Sequence, residues 1–230
     1  MKLLSIDPAT TTGWCVLEFS PPGTLDDEEG SGMVCIQDYG YFTIDTSSEY
    51  EGDHCKNMQN RILDLIDKWN IDEVCLEDYF FSRKARQGAN KNVYFRGSII
   101  TLLRDTTLMK NIKDEKMHYG IVNIYNWKKY MNGKSTVSKE LKKKYKANAN
   151  KMVTVISLWE KHNIKFPNSF LSEKGKNKMI NMKMDVVDSI AIGLYYIFDK
   201  YNTEVPVFDC TDYYKKYNND KNKLIYELYS

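Results

Sequence analysis

The segment from Asp185 to Phe198 limits what this chain can fold into more than any other. Ser189 to Phe198 (SIAIGLYYIF) is the longest apolar run, and Val186 and Val187 extend its apolar character around the helix that the spacing predicts, Met184 to Lys200. Ten residues are half a membrane span, so the rest of the chain has to cover this helix. Val187, Ala191, Leu194, Tyr195 and Phe198 are expected to face inward. Yet Asp185 and Asp188 sit at i and i+3 and share one helix face. A D-x-x-D pair on a helix is ordinarily an exposed stripe. On a buried helix two carboxylates need a partner, and a cation supplies one.

The cover reads as a sheet with helices. Lys2 to Asp7 (KLLSID) and Glu73 to Glu77 (EVCLE) are short apolar runs that each close on an acid, and both read as strands. Trp14 to Phe19, Tyr39 to Ile44 and Tyr119 to Tyr125 read as three more, with Thr10 to Gly13 as the turn of a first hairpin. Met58, Ile62, Leu65, Ile66 and Trp69 fall at helical spacing behind Asp53, a candidate cap. Lys91 to Met109, Trp127 to Met131 and Val137 to His162 carry further helical patterns. Three strands, then alternating helices and strands, describe an α/β fold: a mixed five-stranded sheet flanked by helices. A length of 230 residues makes one domain the default, here residues 1–200, with an acidic loop insertion near 20–33 (PPGTLDDEEGSG within it). Residues 201–230 form a Tyr/Lys/Asp/Asn-rich tail with no assigned role, and no internal repeat is visible.

Composition excludes several classes. With 42% hydrophobic and 28% charged residues, global disorder, collagen and a membrane bundle do not fit. Asp7 follows the start too closely for a signal peptide, so a cytoplasmic location is expected. Five cysteines without a C-x-x-C, and three histidines far apart, argue against a disulfide framework or a zinc site. The net charge of +2 hides an asymmetry. Glu18 to Asp53 carries ten carboxylates and no Lys or Arg, whereas Asp78 to Lys151 carries eighteen Lys/Arg against five Asp/Glu, or +13. The basic stretch reads either as a surface for a polyanion or as solvated helix faces. Lysines outnumber arginines 28 to 5, as AT-rich coding produces, which discounts lysine count alone and fits a phage- or virus-encoded protein.

Four acids stand out by position: Asp7, Glu77, Asp185 and Asp188. If the first and fourth strands are neighbours, Asp7 and Glu77 lie side by side, and the last helix packed there brings all four together. Clustered carboxylates without His or Cys suit Mg²⁺ or Mn²⁺. The plainer alternatives are a turn-forming Asp and a solvent-facing Glu. A rival reading comes from I-D-P-A-T-T-T-G, which resembles the first phosphate loop of actin-like ATPases and sugar kinases. Their second phosphate loop and glycine-rich adenosine motif are missing.

The order of motifs resembles the RuvC-type Holliday-junction resolvases of the RNase H-like superfamily. Ile6-Asp7-Pro8-Ala9-Thr10-Thr11-Thr12-Gly13 matches the family's opening motif, with Ala9 in place of glycine. Glu77-Asp78-Tyr79-Phe80 matches its E-x-x-F, and Phe95-Arg96-Gly97 its x-R-G. Trp127-Lys128, Gly133 and Ser138-Lys139 match its basic positions, and Asp185 to Ile192 its closing D-x-x-D-A-L-A-I. The similarity covers roughly residues 1–200; the acidic insertion and the tail depart from it.

The resemblance implies an RNase H-like fold and nicking of four-way DNA junctions by a homodimer. It implies two Mg²⁺ ions (Mn²⁺ as substitute) ligated by Asp7, Glu77, Asp185 and Asp188, with Lys128 and Lys139 at the scissile strand. Lys139 would hold the attacked phosphate or orient the water. Phe80 matches the ring that stacks on bases at the junction centre; its alternative is a core aromatic. Arg83, Lys84, Arg86 and Lys91 surround Phe80 on a Gly/Asn-containing loop suited to a DNA backbone, and Arg96 and Lys134 join the basic positions facing DNA. A broader cutter of Y-forks and flaps, or a non-catalytic DNA-binding relative, are the other readings.

Overall fold

The structure, a computed structural model, describes residues 1–20, 34–78, 89–105, 117–133, 139, 143, 149–162, 164, 166 and 181–202. Phe80, Arg83, Lys84, Arg86 and Lys134, most of the acidic insertion and the tail beyond 202 lie outside the described residues. Five strands form one sheet: β1 (Lys2–Asp7), β2 (Thr11–Phe19), β3 (Val34–Thr43), β4 (Glu73–Glu77) and β5 (His118–Val122). Their order is β3-β2-β1-β4-β5. β1 pairs antiparallel with β2 and parallel with β4; β2 pairs antiparallel with β3, and β4 parallel with β5. Five helices are described: α1 (Glu51–Trp69), α2 (Ala89–Arg104), α3 (Ile124–Asn132), α4 (Ala149–His162) and α5 (Asn181–Tyr201). The mixed five-stranded sheet flanked by helices is the architecture expected.

β1 and β4 begin and end where the pattern placed them, while other boundaries differ for local reasons. β2 starts at Thr11 rather than Trp14, because Thr11, Thr12 and Gly13 pair with Thr43, Phe42 and Tyr41. The turn shrinks to Pro8–Thr10, closed by Thr12 Oγ1 donating to the Ala9 carbonyl at 2.6 Å. β3 starts at Val34 rather than Tyr39, its early residues held by the ladder with β2. The N-cap of α1 is Tyr50, without a side-chain capping bond, so Asp53 is not the cap. Asp53 lies in the first turn, where a carboxylate meets the positive end of the helix dipole. β5 stops at Val122 because the Asn123 side chain accepts from the Tyr125 N–H at 2.9 Å and caps α3. α2 ends at Arg104 rather than Met109. α5 starts three residues before Met184, and Tyr201 closes it rather than opening the tail.

Period-2 alternation sorts each central strand between two cores. Leu4, Ile6, Val16, Val74 and Leu76 pack on the α1–α2 side with Met58, Ile62, Phe95 and Ile99. Leu3, Cys15, Leu17 and Cys75 pack on the other side against α3, α4 and α5. Ile190, Ile192, Leu194 and Ile197 of α5 are fully buried although they point different ways around the helix. Each contributes about 1.5–3 kcal/mol of apolar burial.

α5 runs antiparallel to β1. The Asp185 backbone meets Gly13, the Ser5 hydroxyl donates to the Ser189 carbonyl at 2.6 Å, and Gly193 lies on Ser5 and Leu17. Beyond these, Tyr196 and Tyr201 hydroxyls donate to the two oxygens of buried Glu73 at 2.6 and 2.7 Å. Lys200 also pairs with Glu73. Burial pushes the Glu73 carboxyl up, but the bonds from Lys200, Tyr196 and Tyr201 outweigh it and hold the group below the usual glutamate value.

A glutamate depressed in the folded state contributes stability that is complete above its unfolded pKa of about 4.3 and is lost as pH falls through the folded value. Glu73→Gln is therefore expected to cost about 2–4 kcal/mol at neutral pH. The gap to wild type should narrow once the pH drops below about 4. Thermal unfolding across that range checks it; a gap that stays constant into acid would assign the loss to packing rather than charge.

Candidate active site

Residues 3, 5 and 7 of β1 share the α5 side of the sheet, as do residues 73, 75 and 77 of β4. The parallel register pairs Ile6 with Leu76, so Asp7 and Glu77 come next to each other at the strand ends. Both line a cavity of about 230 Å³, together with Asp78 and with Asn92 and Arg96 of α2.

The first turns of α5 reach this edge through an unusually close backbone approach. A Cβ built on Gly13 would lie 2.0 Å from the Asp185 carbonyl oxygen and 2.7 Å from the Val186 nitrogen. Gly13 sits opposite Asp7 in the β1–β2 ladder. Only a residue without a side chain lets the helix backbone lie there. One turn on, Asp188 is close enough for its charge to oppose ionisation of Glu77.

Glu77 is strongly perturbed. Its carboxyl is raised to about 7, chiefly by burial, with smaller contributions from the charges of Asp188 and Asp78. Lys128 and the bond from Trp127 oppose it. The fully buried Trp127 donates Nε1–H to Glu77 Oε1 at 2.7 Å, and Lys128 Nζ stands 4.9 Å from the centre of the Trp127 ring. Neighbouring Asp78 is paired with Arg96 at 2.9 Å.

The donor chemistry fits a hard divalent cation. The acids at this edge offer oxygen alone, and Glu77 is desolvated beside like charges, a state that a bound cation relieves. The side chains as they stand do not form a closed ligand set. Among the described residues no group of three His, Cys, Asp or Glu is gathered to hold a metal ion. The structure thus brings Asp7 and Glu77 to one cavity and Asp188 within electrostatic reach of Glu77, with the Asp185 backbone against Gly13.

Of the basic positions, Lys128 and Arg96 are at this edge, while Lys139 is exposed. Lys91 lies in the first turn of α2. Three partners had not been read as such from sequence. Trp127 carried a usable signal, since Trp127 and Met131 at i and i+4 mark the buried face of α3. The Asp78–Arg96 pair and Asn92 had none, because nothing local links β4 to α2.

No family model and no curated protein matches the chain. Solved structures do. RuvC of Thermus thermophilus superposes with a TM-score of 0.53 at 15% identity, covering 90% of this chain and 100% of that one. The same protein in complex with a Holliday junction substrate gives 0.52 at 16% identity, over 88% and 96%. Fowlpox virus resolvase with Holliday junction DNA gives 0.45 at 14%, over 87% and 99%. At such identities the first two comparisons concern the fold, and the fold is the RNase H-like one of RuvC.

Gly13→Ala should therefore be destabilising by about 1–3 kcal/mol or more, because the clash is with backbone rather than a movable side chain. A Cβ at Gly97 of α2 would meet nothing within 4 Å. Gly97→Ala should then stabilise by up to about 1 kcal/mol through helix propensity. Denaturant unfolding of the two variants checks the opposite signs.

Proposed function

We propose that this chain is a divalent-metal-dependent endonuclease that acts on branched DNA and resolves four-way junctions by paired nicks. The observation that carries the reading is the meeting of Asp7 and Glu77 at one cavity, with Asp188 in electrostatic contact with Glu77. It is supported by the fold shared with RuvC, a protein solved with a Holliday junction substrate.

Asp7, Glu77, Asp185 and Asp188 would hold two Mg²⁺ or Mn²⁺ ions, which when bound activate water and neutralise the leaving oxygen of an in-line displacement. Trp127 fixes the Glu77 carboxylate through Oε1, and Lys128 favours its ionised, ligand-competent form. Lys139, exposed, is assigned to the attacked phosphate or its water. Phe80 would stack on an unpaired base at the branch. Arg83, Lys84, Arg86, Lys91 and Lys134 would contact backbone phosphates, giving affinity and salt dependence without sequence reading.

One chain carries one such set of four acids, so two matched nicks need two copies, and a C₂ homodimer fits the approximate two-fold symmetry of a junction. Residues 1–200 would be the nuclease unit. No described helix is long and apolar enough to cross a membrane, and a cytoplasmic, DNA-associated location goes with the activity.

The test is to incubate the protein with an immobile four-way junction in Mg²⁺ and map the nicks beside Y-fork and flap substrates. Symmetric nicks on the junction support resolution, equal cutting of all three identifies a broader branched-DNA nuclease, and no cutting of any defeats the reading. Asp7→Asn, Glu77→Gln, Asp185→Asn and Asp188→Asn should each lower the single-turnover rate on the order of 10²-fold or more while junction binding persists. A variant that nicks at near wild-type rate removes that residue from the site. Ca²⁺ should support binding without turnover, because its longer bonds misplace the water; full activity in EDTA would end the metal mechanism.

A further inference from the structure

Arg96 stands in the candidate site with one donor engaged and another buried without an acceptor. Asn92 and Arg96 are four residues apart on α2 and share a helix face, and both line the cavity that Asp7 and Glu77 enter from the sheet. Nη2 of Arg96 is 2.9 Å from Asp78 Oδ1. Asp78 is itself placed by the sheet, following Glu77 in the chain and donating its backbone N–H to the Val122 carbonyl at 2.6 Å.

A guanidinium is a rigid planar fork, so engaging one nitrogen sets the direction of the others. The Nε N–H is buried and has no hydrogen-bond partner among the described residues. A pair that served only to tie α2 to the end of β4 would be satisfied by the Asp78 contact. It would not account for a second donor of a permanent cation left unmatched, on a residue that lines a cavity whose sheet side carries carboxylates. The acceptor that suits such a donor is an anionic oxygen, which makes the shorter and stronger charge-assisted bond, rather than the neutral edge of a base.

We infer that Arg96, oriented by Asp78 and accompanied by Asn92, receives a non-bridging oxygen of the DNA phosphate that enters this cavity. The inference rests on the nuclease reading and deepens it. It separates Arg96 from Arg83, Lys84 and Arg86, which the proposed function assigns to backbone phosphates elsewhere along the strand. It makes Asp78 a positioning residue: its carboxylate aims the fork and touches no substrate.

A cycle between protein and DNA tests the contact. The full chain and its Arg96→Ala variant are titrated, in Ca²⁺, with a four-way junction carrying either a normal phosphate or a neutral methylphosphonate at the mapped cut position. Wild type should lose about tenfold in affinity on the modified junction, the worth of one charge-assisted bond. Arg96→Ala should lose about as much on the normal junction and little more on the modified one. Arg96→Lys, which keeps the charge but not the fork, should keep its melting temperature and nick in Mg²⁺ about tenfold more slowly or worse. Losses that simply add, or an Arg96→Lys variant cutting at the wild-type rate, overturn the role of Arg96 and leave the nuclease standing. Wild type that neither binds nor cuts any branched DNA overturns both.

Discussion

The contact on which this fold turns is the backbone of α5 lying directly on the sheet. At Gly13 there is no room for even a methyl group between strand and helix backbone, and a Cβ at Gly193 would come within 2.5 Å of the Leu17 side chain and 2.9 Å of Ser5 Cβ. The Gly13 contact fixes the helix in depth and along its axis, because backbone cannot rotate out of the way as a side chain can. At the far end Glu73 gathers Tyr196, Lys200 and Tyr201 of the same helix. Held at both ends, α5 has little freedom to slide, so the acids of its first turns stay at the edge where β1 and β4 finish.

Two glutamates four residues apart on one strand face are treated in opposite ways. Glu73 is buried among donors that all belong to α5, and its charge is favoured. Glu77 is desolvated among other acids, and Lys128 and Trp127 only partly offset this. The first arrangement is a closed structural cluster. The second lines a cavity and is electrostatically incomplete, and a carboxylate so perturbed in a cleft marks a candidate functional site.

Much of this was legible in the sequence. β1 and β4 are short, apolar and end in acids, so both boundaries and alternation were readable, and the all-round apolar character of α5 announced its burial. Boundaries set by partners were not. β3 begins early because β2 offers a ladder, and β5 ends early because one asparagine prefers to cap the next helix. The long-range polar pairs were invisible for a stronger reason. Glu73 and Tyr196 are 123 positions apart, and no local pattern in either segment marks them as partners. Similarly, the glycine of the opening motif was readable as turn chemistry, whereas its service is to a helix that arrives more than 170 residues later.

The paired glutamates on β4 also bear on how the chain avoids the wrong alignment while folding. A parallel strand buried on both faces has little hydrophobic preference between its two sides, since Val74, Cys75 and Leu76 would be accepted by either core. A slip of one position turns every side chain over. Here it would turn Glu73 toward the largely apolar layer beneath α1 and α2, away from Tyr196, Lys200 and Tyr201, and would take Glu77 from Trp127. The acids thus act as a polarity mark on an otherwise ambiguous strand, since the misaligned sheet would bury carboxylates without the donors that satisfy them in the native one.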